Sequence, residues 1–192
     1  MRLPKMAIHI EQDKNQAQLA FQLQSQADLG AIRLMESRVV CKVAPEDAQF
    51  PLSIALKHQV EDAVVSSHKM TIPIRFGFKA ITADEKTDVL VITCRFEATY
   101  VLAETYEPTP EQIDAFRQGN AIFNCWSYFR EYVQNSVARM NYPPVTIPFL
   151  RMVPKPISAA GKPHRLDGGT AKLEPPAEQA PEPKPKRRIK EG

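Results

Sequence analysis

Apolar and polar side chains alternate through MTIPIRFGFKA, residues 70–80, and again through LVITCRFEATYVL, residues 90–102. A period of two places every second side chain on the same face of a β-strand. The polar segment between the two, residues 84–88, is typical of a turn. The sequence therefore predicts a long antiparallel hairpin with one buried face.

Two further strands are predicted before this hairpin. Apolar residues occupy alternate positions over residues 54–60, and the chain then turns at Ser66-Ser67-His68. Residues 31–43 supply the first strand. Four consecutive strands of this kind predict an antiparallel meander with one buried face.

Two positions interrupt the strand pattern. The apolar parity changes between Leu34 and Val39. Because a one-residue slip moves side chains to the opposite face, a bulge or bend is predicted near residues 36–38. Pro73 cannot donate a backbone hydrogen bond, so an edge or a bulge is expected there as well.

A short helix is predicted after the strands. Thr109 is suited to the N-cap, Pro110 to the first helical position, and Gln112 completes a capping box. This helix is expected to run to about residue 118, where Gly119 can end it in the left-handed conformation.

A second helix is predicted from Asn120, as its N-cap, to Pro143-Pro144, which forbid continuation. Its apolar residues recur at steps of three and four, and they form one stripe: Ile122, Trp126, Phe129, Val133, Val137 and Met140. Cys125, Tyr128 and Tyr132 form a second stripe beside it. The combined face is wider than one sheet contact needs. It predicts a further contact with a partner subunit or a client, unless the domain wraps its own helix.

Composition divides the 192 residues into three parts. Residues 1–26 are an N-terminal extension, with a weak helical pattern over residues 11–29, and residues 27–153 form the domain. Residues 154–192 hold eight of the seventeen prolines and no Phe, Tyr or Trp, which predicts a disordered tail. The tail carries nine Lys and Arg against five Asp and Glu, a net +4, so the total of +3 leaves residues 1–153 at −1.

This charge distribution gives no support for a nucleic-acid-binding face on the domain. The basic, proline-rich tract at Pro181–Lys190 could contact RNA, acidic lipid or an acidic partner, or simply keep the chain in solution. No apolar run is long enough for a membrane span or a signal peptide. Cys41, Cys94 and Cys125 are odd in number and scattered, so we expect small core side chains in a reducing cytoplasm rather than disulfides.

The sequence predicts no catalytic residues, cofactor or metal. The first 153 residues contain only three glycines and no glycine-rich phosphate loop, and the histidines have no metal-site spacing. His58 shares the apolar parity of its strand, so a satisfied or rim histidine is expected rather than a general base. Arg95 and Glu97 are expected on the polar side of their strand, where a solvated cross-strand pair is the default. An enzyme with a small β-barrel around an apolar ligand is kept as an alternative.

The stretch from Asn120 to Pro148 resembles the C-terminal part of the SecB family of bacterial protein-export chaperones. An aromatic residue, an Arg-Glu dipeptide, a later Arg and a proline-rich exit match the family pattern: Tyr128, Arg130, Glu131, Arg139, Pro143, Pro144 and Pro148. Ser127 departs from it, since the family usually has proline there. The strand order extends the resemblance to residues 27–152.

The resemblance implies an α+β fold in which a four-stranded antiparallel meander is followed by two C-terminal helices packed on one face. It also implies assembly through sheet edges and helices into a homotetramer, a dimer of dimers. The implied function is ATP-independent holding of unfolded polypeptides in the cytoplasm, including preproteins for export, with the translocase motor SecA as a partner. The N-terminal extension and the basic tail resemble the toxin–antitoxin-associated members more closely, so a chaperone dedicated to one antitoxin is the alternative.

Site residues follow from these expectations. Candidates for peptide contact are apolar side chains beside the helices: Phe76, Phe78, Tyr100, Ile113, Phe116, Phe123, Trp126 and Tyr132. Five helix residues are expected to build the core and the oligomer: Tyr128, Phe129, Arg130, Glu131 and Val133. No metal is expected, and no nucleic acid except through the tail.

Overall fold

The computed structural model describes residues 7–84 and 87–155 and the backbone of residues 171–173. The elements in chain order are β1 (Ala7–Gln12), α1 (Lys14–Gln24), β2 (Ala27–Cys41), β3 (Leu52–Val60), β4 (Val64–Ser66), β5 (Lys69–Ile81), β6 (Asp88–Leu102), α2 (Pro110–Phe116), α3 (Ile122–Arg139), β7 (Phe149–Pro154) and β8 (Ala171–Leu173). The tract at 181–190 and most of the predicted tail lie outside the described residues.

The fold is α+β, with a mostly antiparallel sheet and the C-terminal helix packed on it. The main sheet has the order β2-β6-β5-β3-β8, and β4 pairs with β5. Strands β3, β5 and β6 are neighbours as the sequence predicts. β2, however, pairs with β6 and not with β3. Residues 42–51 carry the chain from β2 to the far side of the sheet, so the strand order is that of a Greek key rather than a simple meander.

The predicted irregularities lie close to their expected positions. The pairing of β2 with β6 shifts between Leu34 and Glu36, slightly before the predicted bulge, and a second shift lies between Leu29 and Ala31. The carbonyl of Pro73 accepts a hydrogen bond from the backbone of Glu61 at 2.9 Å. The nitrogen of Pro73 points the same way, toward the gap between β3 and β4. No strand there needs a backbone N–H donor from β5, so the proline is tolerated.

The two helices are joined differently from the prediction. The capping box forms, because Thr109 and Gln112 exchange hydrogen bonds at 3.3 and 2.9 Å. Gly119 does not end the helix, since a π-helical turn over Arg117–Ala121 leads directly into α3. A Cβ at Gly119 would collide with the side-chain amide of Gln12, so the glycine permits this close approach. Asn120 does not cap α3; its amide donates to Gln24 at 2.7 Å.

The core lies between α3 and one face of β5 and β6. The predicted helix stripe is buried from Ile122 to Val137, as are the alternate residues from Met70 to Ala80 on β5. Cys94 and Cys125 are buried as expected, whereas Cys41, at the end of β2, is exposed. The expectation of three core cysteines is therefore wrong for Cys41, because β2 lies at the edge of the sheet, beyond the core under α3.

The chain termini add elements to this core. α1 begins with its own capping box at Asp13 and buries Ala20 and Leu23. β1 pairs with β7 in parallel and forms a separate two-stranded sheet. Three residues of the predicted disordered tail, Ala171–Leu173, pair with β3 at Leu52–Ile54. Local sequence patterns do not predict these pairings, because the partner strands are far apart in the chain.

Candidate functional site

The inner face of the main sheet extends beyond the helix that covers it. In an antiparallel pair, residues directly opposite each other share a face. Leu29, Leu34 and Val39 of β2 lie opposite Tyr100, Phe96 and Ile92 of β6, which are buried. The three β2 side chains themselves are 47%, 43% and 39% exposed. A row of apolar side chains on the core face is therefore left uncovered.

One flank of α3 faces this uncovered row. The thiols of Cys125 on α3 and Cys94 on β6 lie close enough to interact, and burial raises the pKa of each to about 12. Tyr128 and Tyr132 come next around the helix, on the side of Cys125 that leads toward β2. Tyr128 is 47% exposed and Tyr132 is half-buried. We call the set Leu29, Ile32, Leu34, Val39, Tyr128 and Tyr132 the β2–α3 surface.

The opposite flank of α3 is closed by the chain itself. Three helix side chains donate to carbonyls of the segment that follows: Trp126 to Pro148 at 3.0 Å, Arg130 to Ile147 at 3.0 Å and Gln134 to Val145 at 3.4 Å. We call residues 142–148 the exit segment. Its own side chains Val145 and Ile147 are buried. The exit segment therefore covers this flank along residues 126–134, and the flank of Tyr128 is left open to a ligand.

Most of the predicted peptide-contact residues lie in the core. The structure buries five of them to 4% exposure or less: Phe76, Phe78, Tyr100, Phe116 and Trp126. Phe76 stacks on Phe129 at 4.8 Å between ring centroids, and Tyr100 meets Phe116 edge-on at 4.9 Å. These aromatics hold the helices on the sheet and offer no free surface to a client in this conformation.

Three candidates keep accessible surface. Phe123 is 47% exposed, while Ile113 and Tyr132 are half-buried. The row on β2 was not among the predicted contacts, although the alternation of apolar residues was visible in the sequence. It was missed because an edge strand and a central strand share the same pattern, and only the sheet order shows which one the helix leaves uncovered.

The five predicted helix residues divide between core and surface. Phe129 and Val133 are fully buried, and Tyr128 and Glu131 are exposed. Arg130 does not pair with Glu131; its guanidinium lies over the ring of Phe149 at 4.3 Å. The arginine of the family pattern therefore anchors the exit segment in this chain.

The outer face of the sheet carries a chain of paired charges. Glu61 accepts hydrogen bonds from Arg75 at 2.8 Å and from Arg95 at 3.2 Å. Arg75 also reaches Glu36, and Arg95 reaches Glu97 two residues along its own strand. Arg95 thus pairs both along β6, with Glu97, and outside its own strand, with Glu61. These charges therefore partly neutralise one another on this face.

The remaining sequence candidates for chemistry are His58 and groups of metal-ligating side chains. Burial lowers the pKa of the half-buried His58. Within residues 7–84 and 87–155, no three His, Cys, Asp or Glu side chains come together in a group able to hold a metal ion. Among the residues that the structure describes, the sheet is open, with β2 at one edge, whereas the enzyme alternative expects a closed barrel. None of the helices in the described part of the chain has the length and apolarity to cross a bilayer.

Comparison with known proteins finds similar chains by sequence and by structure. No protein-family model matches. The chain is 28% identical over 152 residues to the SecB-like chaperone Rv1957 of Mycobacterium tuberculosis strain ATCC 25618 / H37Rv, which covers 71% of this chain and 83% of the relative. The SecB-like chaperone MT2006 of strain CDC 1551 / Oshkosh gives the same values.

A solved structure shares the fold. It contains the Mycobacterium tuberculosis SecB-like chaperone Rv1957 in complex with a ChAD peptide from the Rv1956 HigA1 antitoxin. It aligns with a TM-score of 0.59 at 21% identity, over 71% of this chain and 99% of that one. The likeness confirms the α+β architecture expected from the sequence.

Proposed function

We propose that this chain, a homologue of the SecB-like chaperones, is a holdase that binds unfolded polypeptide without ATP. The observation that carries the proposal is the uncovered apolar row on β2 beside the exposed Tyr128. A contiguous apolar patch on a folded chain marks a surface that binds something. We place the activity in the cytoplasm.

Binding on the β2–α3 surface needs no chemistry. Burial of apolar client side chains supplies about 25 cal/mol per Å², against a large cost of association. Tyr132 lies within this surface, and Phe123 and Ile113 are further accessible side chains on the helices that a client can contact. Several such surfaces on one oligomer would hold a long client more tightly than a single surface.

We further propose that the chain assembles as a homotetramer, a dimer of dimers. β2 has fifteen residues and stands at one end of the described sheet. A long free edge is a template for pairing with a second chain. Gel filtration with light scattering tests this proposal, and a monomer at micromolar concentration would contradict it.

Suppression of aggregation tests the holdase function. The wild-type chain, mixed at equal concentration with a chemically denatured model protein, should keep that protein in solution after dilution. Leu34→Glu places a charge on the β2–α3 surface and should reduce the suppression by about half or more. Val101→Glu is the matched control, because Val101 is 46% exposed on the opposite face of the sheet. Aggregation that wild-type protein leaves unchanged would contradict the proposal.

A chaperone dedicated to one antitoxin is the second candidate. The solved complex of Rv1957 with an antitoxin peptide favours it. Capture of proteins from the native host by the wild-type chain separates the two functions. One dominant antitoxin would support the dedicated role, and a broad set of unfolded proteins would support the general one.

Preprotein export through SecA is a third assignment. The basic tail stands where the export chaperone has an acidic segment, which argues against docking on this motor. Co-elution of the purified chain with purified SecA would restore the export role, and separate elution would remove it.

A further inference from the structure

The N-terminal arm, residues 7–24, occupies a surface on the joint between α2 and α3. Ile10, Ala20 and Leu23 of the arm are buried, and Leu23 is 0% exposed. Leu23 belongs to the same buried cluster as Phe116, whose ring packs against Tyr100. The arm thus covers α2, which carries Ile113 and Phe116, two of the side chains predicted to contact a client.

One contact positions the arm on the π-helical turn. The side-chain amide of Gln12 donates to the carbonyl of Ala115 at 3.3 Å. It lies in the notch that Gly119 leaves open, where a Cβ would collide with the amide. π-Helical turns are frequent at functional sites. The joint therefore has a shape that accepts an inserted amide side chain.

The other side-chain contacts that the arm makes with α2 and the π-helical turn are amide pairs. Gln112 donates to Gln22 at 3.1 Å, and Asn120 donates to Gln24 at 2.7 Å. Pairs of neutral amides are replaced by water, or by another amide, at little net cost. β1 has β7 as its partner in a two-stranded sheet, and such a sheet is marginally stable on its own. Another polypeptide segment can reproduce every one of these interactions.

We propose that the surface of α2 and the π-helical turn beneath the arm is a second client-binding surface, occupied in the resting chain by the arm itself. An amphipathic client segment displaces the arm and binds as α1 does. This inference rests on the proposed holdase function and specifies the class of client that the joint accepts.

The arm defines the chemistry of that client. α1 reads KNQAQLAFQLQ, with one charged residue, and presents Leu19, Ala20 and Leu23 toward the domain. A segment that binds in its place forms a helix with a small residue and a leucine three positions apart, flanked by amide side chains. This is the helix-in-groove mode of recognition, with anchors on one face.

Hydrogen exchange on the full wild-type chain tests the proposal. The probe is an unfolded, reduced and alkylated model protein, whose binding is measured in the same samples. At saturating client, the backbone amides of residues 7–24 should exchange about fivefold faster or more, because the displaced arm loses its protection. Protection of α3 should stay the same or rise.

The outcomes separate the two proposals. Bound client with unchanged protection of the arm would overturn the second surface and leave the holdase function standing. An absence of any client binding would overturn both.

A substitution at the notch gives an independent test. Gly119→Ala should push the Gln12 amide out while favouring the helical joint itself, since alanine is the better helix former. The arm should then exchange faster without client, and the client should bind about threefold more tightly or better, because competition with the arm is weaker. Gln18→Ala, on the exposed side of α1, is the control and should change neither measurement. A freed arm with unchanged or weaker client binding would overturn the proposal.

Discussion

The guanidinium of Arg130 lies over the ring of Phe149 at 4.3 Å, while its Nε donates to the carbonyl of Ile147 at 3.0 Å. One side chain thus holds both the backbone and an exposed aromatic ring of the segment after α3. This attachment closes one flank of the helix. It leaves the flank of Tyr128 as the open side of the β2–α3 surface.

Arg130→Ala should lower the free energy of unfolding by about 1–2 kcal/mol, because a buried carbonyl loses its donor and Phe149 loses a cation–π partner. Urea denaturation measures this change. Glu131→Ala, at the exposed neighbouring position, should stay within about 0.5 kcal/mol of wild type. Equal losses in the two variants would contradict the role of Arg130 as an anchor.

Phe129 and Phe123 lie on the same helix, but their substitution by alanine should have different effects. One should lower stability and the other should weaken the suppression of aggregation. Phe129 is 0% exposed and stacked on Phe76, so Phe129→Ala should cost about 3–5 kcal/mol of stability through the cavity it leaves. Phe123 is 47% exposed. Phe123→Ala should change stability by less than about 0.5 kcal/mol and instead weaken the suppression of aggregation. A large loss of stability with Phe123→Ala would place that residue in the core.

The strands and the buried helix stripe could be predicted because each depends on a local period. Apolar and polar residues alternate from Met70 to Ala80 and from Leu90 to Leu102. The alternating apolar residues of both strands are buried, as the pattern predicts. The capping box at Thr109 is equally local and is confirmed. Such features need no knowledge of which elements meet.

The features that the sequence did not predict all depend on distant contacts. Gly119 was expected to end a helix, and its real constraint is Gln12, more than one hundred residues away. The exposure of Leu34 depends on the pairing of β2 with β6 at one edge of the sheet. The candidate surface follows from this strand order, which no single segment encodes.

The three cysteines should differ in reactivity. Cys41 is exposed, whereas burial protects Cys94 and Cys125 and raises the pKa of both to about 12. A thiol reagent at pH 8 should modify one cysteine quickly in the native chain and the other two only after denaturation, because the thiolate is the reactive form. Cys41→Ser should remove the fast reaction. Slow reaction of all three thiols would show that another chain covers the end of β2.

Glu61 should make the stability of the chain depend on pH. Hydrogen bonds and charges from Arg95 and Arg75 hold the pKa of its carboxyl below the ordinary value of 4.5. The folded state therefore favours the charged form, and the stabilisation is complete above the unfolded pKa and lost as pH falls through the folded pKa. Glu61→Gln should be less stable than wild type by about 1 kcal/mol at pH 7. Urea denaturation should show this gap constant down to about pH 5 and shrinking below the unfolded pKa.

Asp62→Asn is the control for this pH dependence. Asp62 lies next to Glu61 in the chain and contacts Arg117 at 3.3 Å, but its side chain is 98% exposed. Water screens an ion pair of this kind, so the substitution should change stability little at any pH. If Glu61→Gln and wild type lost stability in parallel from pH 7 to pH 3, the acid sensitivity would lie in other carboxylates. The Glu61 pairs would then be geometric contacts without a net effect on folding.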